Sequence, residues 1–493
     1  MMTKTSVKTN TLVPPLTPGG RGFARAWCLI AAVAALSGCA SMAPDYSRPA
    51  APVPDAWPVG PSYRGGAVAP GDRSAAEIPW QEFFVDQRLQ KLIGLALENN
   101  RDLRVALLAI ERSRAQYQIQ GAELYPRVNA AAGGNLQGVP EDFSATGQSL
   151  TTHQYSLGVG FSAYELDLFG RVRSLKDQAL EQYLATGQAQ RSVRISLISQ
   201  VAASFLSLAA DRERLALARE TLADQRSSYE LSRVRFEAGV SSALDLHQAR
   251  TVLDGARVEI ARYTGLVAQD ENALALVIGS PVPAELLPQA LSENLTALRS
   301  VEPGLPSEVL LRRPDILQAE SRLRGANANI GAAQAAFFPR IALTSSVGLG
   351  SLELSGLFSG GAGMWSFVPQ ITLPIFNAGA NRANLKVAEA DRDIAVALYE
   401  KAIQTAFREV ADALAQRGTI EDQLAAQQSL ADTNAESVRL SQARYEKGVD
   451  SYLAVLVSQR ALYVAQQGLI SVRLSRLSTL ATLYKVLGGG AAE

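Results

Sequence analysis

Two hydrophobic periods alternate along this chain, and the order in which they alternate occurs twice. After Trp80, apolar Leu89, Leu92, Ile93, Ala96 and Leu97 recur at three-and-four spacing, and a second such stretch runs from Leu103 to about Glu123. This spacing predicts two helices, and Pro126 stops the second. The period then falls to two. Val128, Ala130, Ala132, Gly134 and Leu136 alternate with Asn129, Ala131, Gly133 and Asn135. On the return, Tyr155, Leu157, Val159, Phe161 and Ala163 alternate with Gln154, Ser156, Gly158, Gly160 and Ser162. The alternation predicts a strand pair over residues 127–137 and 154–166, each strand about ten residues long, as a tilted bilayer-crossing strand requires. One face is apolar, and the other is small and polar, as in the lining of a water-filled barrel.

Between Gly170 and Pro281 there is no proline, which suits continuous helix. Within that interval Val201, Leu208, Leu215, Leu222, Tyr229 and Phe236 fall seven residues apart. A strict seven-residue repeat drifts against 3.6 residues per turn, so the helix must supercoil left-handedly around neighbours, with these residues as its core. The expected helix, residues 172–238, is roughly 100 Å long at the standard rise. Gly239 breaks it, because glycine accepts the left-handed conformation that ends helices, and a return helix is expected over 242–278.

The same programme then repeats. A helix over 314–336 starts at Pro314, where a first turn tolerates proline. Phe338-Pro339-Arg340 echoes Tyr125-Pro126-Arg127, and a second strand pair is expected over 340–350 and 364–376, with Trp365, Phe367, Ile371, Leu373 and Ile375 on one face. The second long helix, 380–447, carries Ile403, Val410, Leu424, Val438 and Tyr445 on the first seven-residue grid shifted by 209. Arg235-Phe236-Glu237-Ala238-Gly239-Val240 returns as Arg444-Tyr445-Glu446-Lys447-Gly448-Val449, before a return helix over 451–487. The chain is therefore read as an internal duplication: a first repeat over 80–280, a linker over 281–306 and a second repeat over 307–493.

Ahead of the repeats, residues 39–79 carry eight prolines, which fix extended backbone, so this stretch is a tether or an arm draped along the body. Residues 1–38 read as a signal peptide: Arg21 and Arg25 precede an apolar run over 27–36 that is too short for a mature membrane helix. The run ends in Leu36-Ser37-Gly38-Cys39, which resembles a bacterial lipobox and would leave lipid on Cys39. Ala40 and Ser41 follow in place of the aspartate that retains lipoproteins at the inner membrane, so the resemblance implies the outer membrane.

Hydrophobic residues make up 47% and charged residues 19%, which is low in charge for a soluble protein and too polar for a helical membrane bundle. Lys+Arg and Asp+Glu balance at 47 each, which leaves no basic field for nucleic acid. His153 and His247 stand far apart, and no Gly-rich phosphate loop follows a strand, so neither a metal site, a cofactor nor an enzyme is expected. Lipid-facing strands cannot leave an open edge in hydrocarbon, and four strands cannot close alone. Copies must pool strands, and twelve from a trimer or eight from a dimer would both close. Each hairpin returns to the side it left, so the helices should emerge from one face of the membrane and continue the barrel as a coiled-helix tube.

The order of several motifs over the mature chain resembles the TolC-type outer membrane factors, in their lipoprotein, OprM-like branch. These are Trp80-Gln81-Glu82-Phe83-Phe84, Leu166-Asp167-Leu168-Phe169-Gly170-Arg171, Leu311-Arg312-Arg313-Pro314-Asp315-Ile316, Leu373-Pro374-Ile375-Phe376 and Gly448-Val449-Asp450-Ser451-Tyr452-Leu453. The resemblance implies an α+β membrane protein: a homotrimer with a 12-stranded β-barrel in outer membrane lipid, four strands per chain, continued by a periplasmic α-helical barrel. It implies docking to a periplasmic adaptor and to a resistance-nodulation-division inner membrane pump, as a passive exit for drugs and other small toxic compounds. A duct for type I protein secretion shares the fold, and a coiled-coil adaptor would share the helices but not the strands.

In that family the tips beyond the helical breaks at Gly239 and Gly448 pinch shut at rest. Asp245, beside Leu244, matches an aspartate that links the first hairpin to the second, and Tyr445 matches its tyrosine partner. Leu453 matches an apolar constriction residue, with Asp450 in the same turn. Asp245 also lies three residues after Ser242, where it would cap the return helix, and the two roles can coexist. Ala454 and Val457 stand where the family often has acidic residues, which favours an apolar seal around Leu453 over a cation-binding ring.

Overall fold

The computed structural model describes residues 41–63, 77–145, 147–291 and 310–490. The expected signal peptide, Cys39 and most of the expected linker lie outside them. The chain divides into two compact units, one built from residues 1–44, 120–176 and 328–388 and the other from 45–119, 177–327 and 389–493.

The first unit is built around one antiparallel sheet, β1 (Val128–Val139), β2 (Leu150–Leu166), β3 (Arg340–Ser351) and β4 (Gly363–Thr372), in the order β1-β2-β3-β4. The register aligns Ala130 with Val159, Val159 with Val347 and Val347 with Trp365, so one row of apolar side chains crosses all four strands. Val159, Val347 and Trp365 are exposed on that face. The opposite face carries Ser346 and Ser366, whose hydroxyls meet at 2.8 Å. Alternation in the sequence thus sorts an apolar from a polar face, because successive side chains of a strand point to opposite sides.

The strands differ from expectation at their ends. β2 begins at Leu150, not 154, because Thr151, Thr152 and His153 pair with β1 although they carry no apolar alternation. β4 ends at Thr372, not 376, so Leu373, Ile375 and Phe376 lie beyond it, and all three are exposed; Pro374 has no N–H to extend the ladder. The period also breaks inside β2. A bulge lies between Phe161 and Tyr164, Ala163 takes φ 53°, and its N–H donates to Thr344 Oγ1 at 3.0 Å. Ala163 therefore does not continue the regular apolar row.

The second unit is helical. Its described elements are α1 (Trp80–Phe83), α2 (Gln87–Asn99), most of α3 (Arg101–Ala122), most of α4 (Arg171–Glu237), α5 (Ala243–Ile278), the first part of α6 (Pro314–Ala335), most of α7 (Ala380–Glu446) and α8 (Tyr452–Val486). The boundaries of α3 to α8 fall within two residues of the places expected for them, α1 was not expected as a helix, and Ser242 and Ser451, expected inside the return helices, are instead their N-caps. α4 and α7 are each 67 residues long.

The core explains the Trp80-to-Phe84 motif. Phe83 and Phe84 are fully buried with Leu89, Leu92 and Ile93 of α2, Val201, Phe205 and Leu208 of α4, and Tyr484 of α8. Phe83 stacks on Tyr484 with centroids 4.2 Å apart. The seven-spaced residues are buried in mid-helix at Val201, Leu208, Ile403 and Val410, whereas Phe236 near the end of α4 is 41% exposed in the single chain. The proline-rich arm is docked: Trp57 stacks on Phe407 at 5.0 Å, and Tyr46 and Val53 pack against Ile316, Tyr399 and Ile403.

Candidate gate at the helical tips

Both long helices end in the same turn. Gly239 has φ 74° and Gly448 has φ 71°. Gly239 N–H donates to Phe236 O and Val240 N–H to Arg235 O, both at 2.9 Å, and the second copy repeats these bonds from Gly448 to Tyr445 and from Val449 to Arg444, again at 2.9 Å. This is the double closure of a Schellman turn, and it satisfies the last carbonyls of each helix.

After the turns the copies diverge. Ser242 and Asp245 form a reciprocal capping box at the start of α5. Asp245 N–H donates to Ser242 Oγ at 3.1 Å, while Asp245 Oδ2 accepts from Ser242 N–H at 3.2 Å, Ser242 Oγ at 2.8 Å and Ser241 Oγ at 3.1 Å. The hydrogen bond from the Ser242 hydroxyl holds the Asp245 carboxyl below the usual carboxylate range. In the second copy Ser451 is the N-cap of α8 but makes no side-chain capping bond, and Ala454 stands where the first copy has Asp245. Asp450 is instead forked by Arg444, at 2.5 Å from Nε and 3.1 Å from Nη2. That bond lowers the Asp450 carboxyl and raises the Arg444 guanidinium.

Asp245 and Tyr445 are not brought together within the chain. All of the hydrogen bonds described for Asp245 are to its own turn, and Tyr445 Oη accepts instead from Arg235 Nη1. Arg235 Cζ also lies 4.9 Å from the centre of the Tyr445 ring. Tyr445 tilts at 47° to Tyr452, 5.2 Å away. Tyr452 is buried with Ala249, Val455 and Leu456 in a small cluster that Tyr229 borders, and burial pushes its phenol up. Sequence reading missed both Arg235 and Tyr452 as site residues. Arg235 was visible only as the duplicate of Arg444.

Leu244 and Leu453, at equivalent places in the two copies, are exposed in the single chain, as is Val457 one turn beyond Leu453. Leu453, Leu456 and Val457 line a groove of about 590 Å³ with Val252, Gln225 and Tyr463. Among the described residues no cluster of three or more His, Cys, Asp or Glu could hold a metal.

A sheet of long two-faced strands interrupting very long duplicated helices defines a class of membrane channel subunit. Residues 92–280 and 305–489 match the family described as outer membrane efflux protein. The antibiotic efflux pump outer membrane protein ArpC of Pseudomonas putida is 52% identical over 455 residues, covering 92% of this chain and 93% of its own. The toluene efflux pump outer membrane protein TtgC of Pseudomonas putida matches with the same identity and coverage. The crystal structure of the open state of the Neisseria gonorrhoeae MtrE outer membrane channel aligns with a TM-score of 0.82 at 38% identity, over 92% of this chain and 99% of that one. The chain belongs to the outer membrane efflux protein family. It is an outer membrane channel subunit of efflux.

Proposed function

We propose that three copies of this chain close a 12-stranded barrel in the outer membrane and form a passive exit for antibiotics, solvents and similar small apolar compounds. The observation that carries this is the sheet. Its order leaves one edge of β1 and one edge of β4 without a neighbour among the described strands, and such edges are untenable in hydrocarbon unless another copy covers them. The exposed Phe236 near the tip fits the same reading, as a seam residue waiting for a neighbour's helix. Work against a gradient then comes from a resistance-nodulation-division pump through a periplasmic adaptor, and this chain needs no cofactor and no catalytic group. The antibiotic and toluene pumps named among its relatives favour small molecules over the alternative, a protein-secreting duct.

The tip residues Leu244, Asp245, Tyr445, Asp450 and Leu453, with the turns at Gly239 and Gly448, are proposed as the periplasmic gate, closed by an apolar seal at Leu453. Cys39 is proposed as the acylated first residue of the mature chain. Ser41, the first described residue, meets Ser174 near the start of α4, hydroxyl to hydroxyl at 3.1 Å. Deleting the gene and measuring accumulation of toluene, dyes and antibiotics, with and without an inhibitor of the pump, tests the whole reading. Accumulation that deletion leaves unchanged refutes it.

A further inference from the structure

The two tips share one backbone turn but are wired differently. Arg235 and Arg444 occupy the same place in the duplication, each in the last turn of its long helix. Arg444 forks onto Asp450, a carboxylate in its own turn. At the corresponding position the first copy has Ser241, whose hydroxyl is turned to Asp245 Oδ2 at 3.1 Å. Asp245 is in turn occupied by Ser241 and Ser242. Among the described residues Arg235 therefore has no carboxylate partner. It crosses to α7, where Nη1 donates to Tyr445 Oη and the guanidinium lies 4.9 Å from the ring centre. Tyr445 itself rests against Tyr452, which is 6% exposed.

We propose that Arg235 ties the first hairpin to the second within one chain, and that Ser241 is the residue that leaves it free to do so. This rests on the reading of the tips as a gate and adds to it a positioning residue and the position that controls it. Arginine suits the task because it stays charged, carries several donors and lies well over an aromatic face. A carboxylate holds it more strongly than a phenol does, through two parallel charge-assisted bonds, and the Arg444–Asp450 pair has that form. An acid at position 241 would accordingly draw the guanidinium back into its own turn and untie the hairpins without touching Tyr445.

The test is single-channel conductance of the full-length protein in planar bilayers for Ser241→Asp, Arg235→Met, the two combined, and Asp245→Ala combined with Tyr445→Ala. Ser241→Asp and Arg235→Met are each expected to raise conductance, and the combination to raise it no further than Arg235→Met alone, since both act on one interaction. An acid at 241 also stands beside Asp245, and repulsion there would act whatever occupies 235. A further rise from Ser241→Asp in the Arg235→Met background therefore overturns the proposal. So does unchanged conductance in both single variants when the Asp245 and Tyr445 pair of substitutions opens the channel. If that pair also leaves conductance unchanged, the gate reading itself fails and takes the tie with it.

Discussion

Replacing Arg313 by Met should loosen the joint where three helices meet. Arg313 immediately precedes α6 and is 8% exposed. Its Nε and Nη2 hold Asp315 at 3.0 and 2.7 Å, Nη2 also holds Glu409 of α7 at 2.8 Å, and Nη1 donates to the Val486 carbonyl at 2.8 Å. Val486 is the last residue of α8, so Arg313 satisfies one of the carbonyls that a helix end leaves without a partner. Met fills much of the same volume but donates nothing. The side chains of Asp315 and Glu409 are 37% and 35% exposed, so both can return to water. The Val486 carbonyl loses its Arg313 donor, and a buried acceptor left unpaired costs about 1–3 kcal/mol. Breaking a buried pair from one side costs about 3–5 kcal/mol, and the exposure of both acids places this site at about 3. That corresponds to roughly a hundredfold increase in local opening. Amide hydrogen exchange by mass spectrometry should find it in residues 310–318 and 480–488, with the middle of α4 unaffected. Arg313→Lys should recover only part of the protection, because one ammonium cannot reproduce the fork. Unchanged exchange in Arg313→Met, or full recovery with lysine, would refute the reasoning.

Three further outcomes are expected. The Asp270 carboxyl is pushed up to about 6, first by burial and then by Asp211 beside it. Its contribution to stability is therefore complete below the ordinary value of 3.8 and is lost as pH rises through about 6. Asp270→Asn should raise the melting temperature above that window and flatten the pH dependence within it; a melting profile parallel to that of the parent would contradict this. A Cβ on Gly348 would stand 2.2 Å from Leu157 O, closer than any real contact, so Gly348→Ala should force β2 and β3 apart and lower the yield of the proposed trimer, read by light scattering on the detergent-solubilised protein; a parent-like yield would contradict this. Asp245→Ala removes half of a capping box and should cost about 1 kcal/mol at the start of α5, read as faster exchange over 243–248. Because the folded carboxyl is held low, acidification below its lowered value should reduce the protection of these amides relative to their intrinsic exchange rate in the parent in the same way.

Much of this fold is legible in the sequence because its determinants are local. The absence of proline, a seven-residue grid and a terminal glycine fix a long helix and its end without reference to anything distant. Strand interiors were equally plain, but their ends were not. Thr151 to His153 pair with β1 without any apolar alternation, and Leu373 and Ile375 keep the apolar pattern although the ladder has ended at Thr372. Ala163 follows the alternation in letters while a bulge takes it out of register. The tip was half legible. Capping by Asp245 follows from a three-residue spacing to Ser242, whereas the partner of Arg235 lies 210 residues away and no local period encodes it. What the chain did offer was a mismatch between copies, Ser241 against Asp450, and such mismatches mark where a duplicated part has acquired a new contact.

The docked arm constrains the order of events during biogenesis. Arg48 grips the buried carboxylate of Glu320 through Nε and Nη2, both at 2.9 Å, across 272 residues of chain, and Tyr46 adds a bond to the same group at 3.2 Å. Trp57 lies on Phe407, farther along still. This segment precedes α6 and α7 in the chain and can therefore reach its seat only after α6 and the middle of α7 have been made, exported and packed. The arm is early to be synthesised and late to be placed, so its seating is a natural checkpoint that the rest of the subunit has folded.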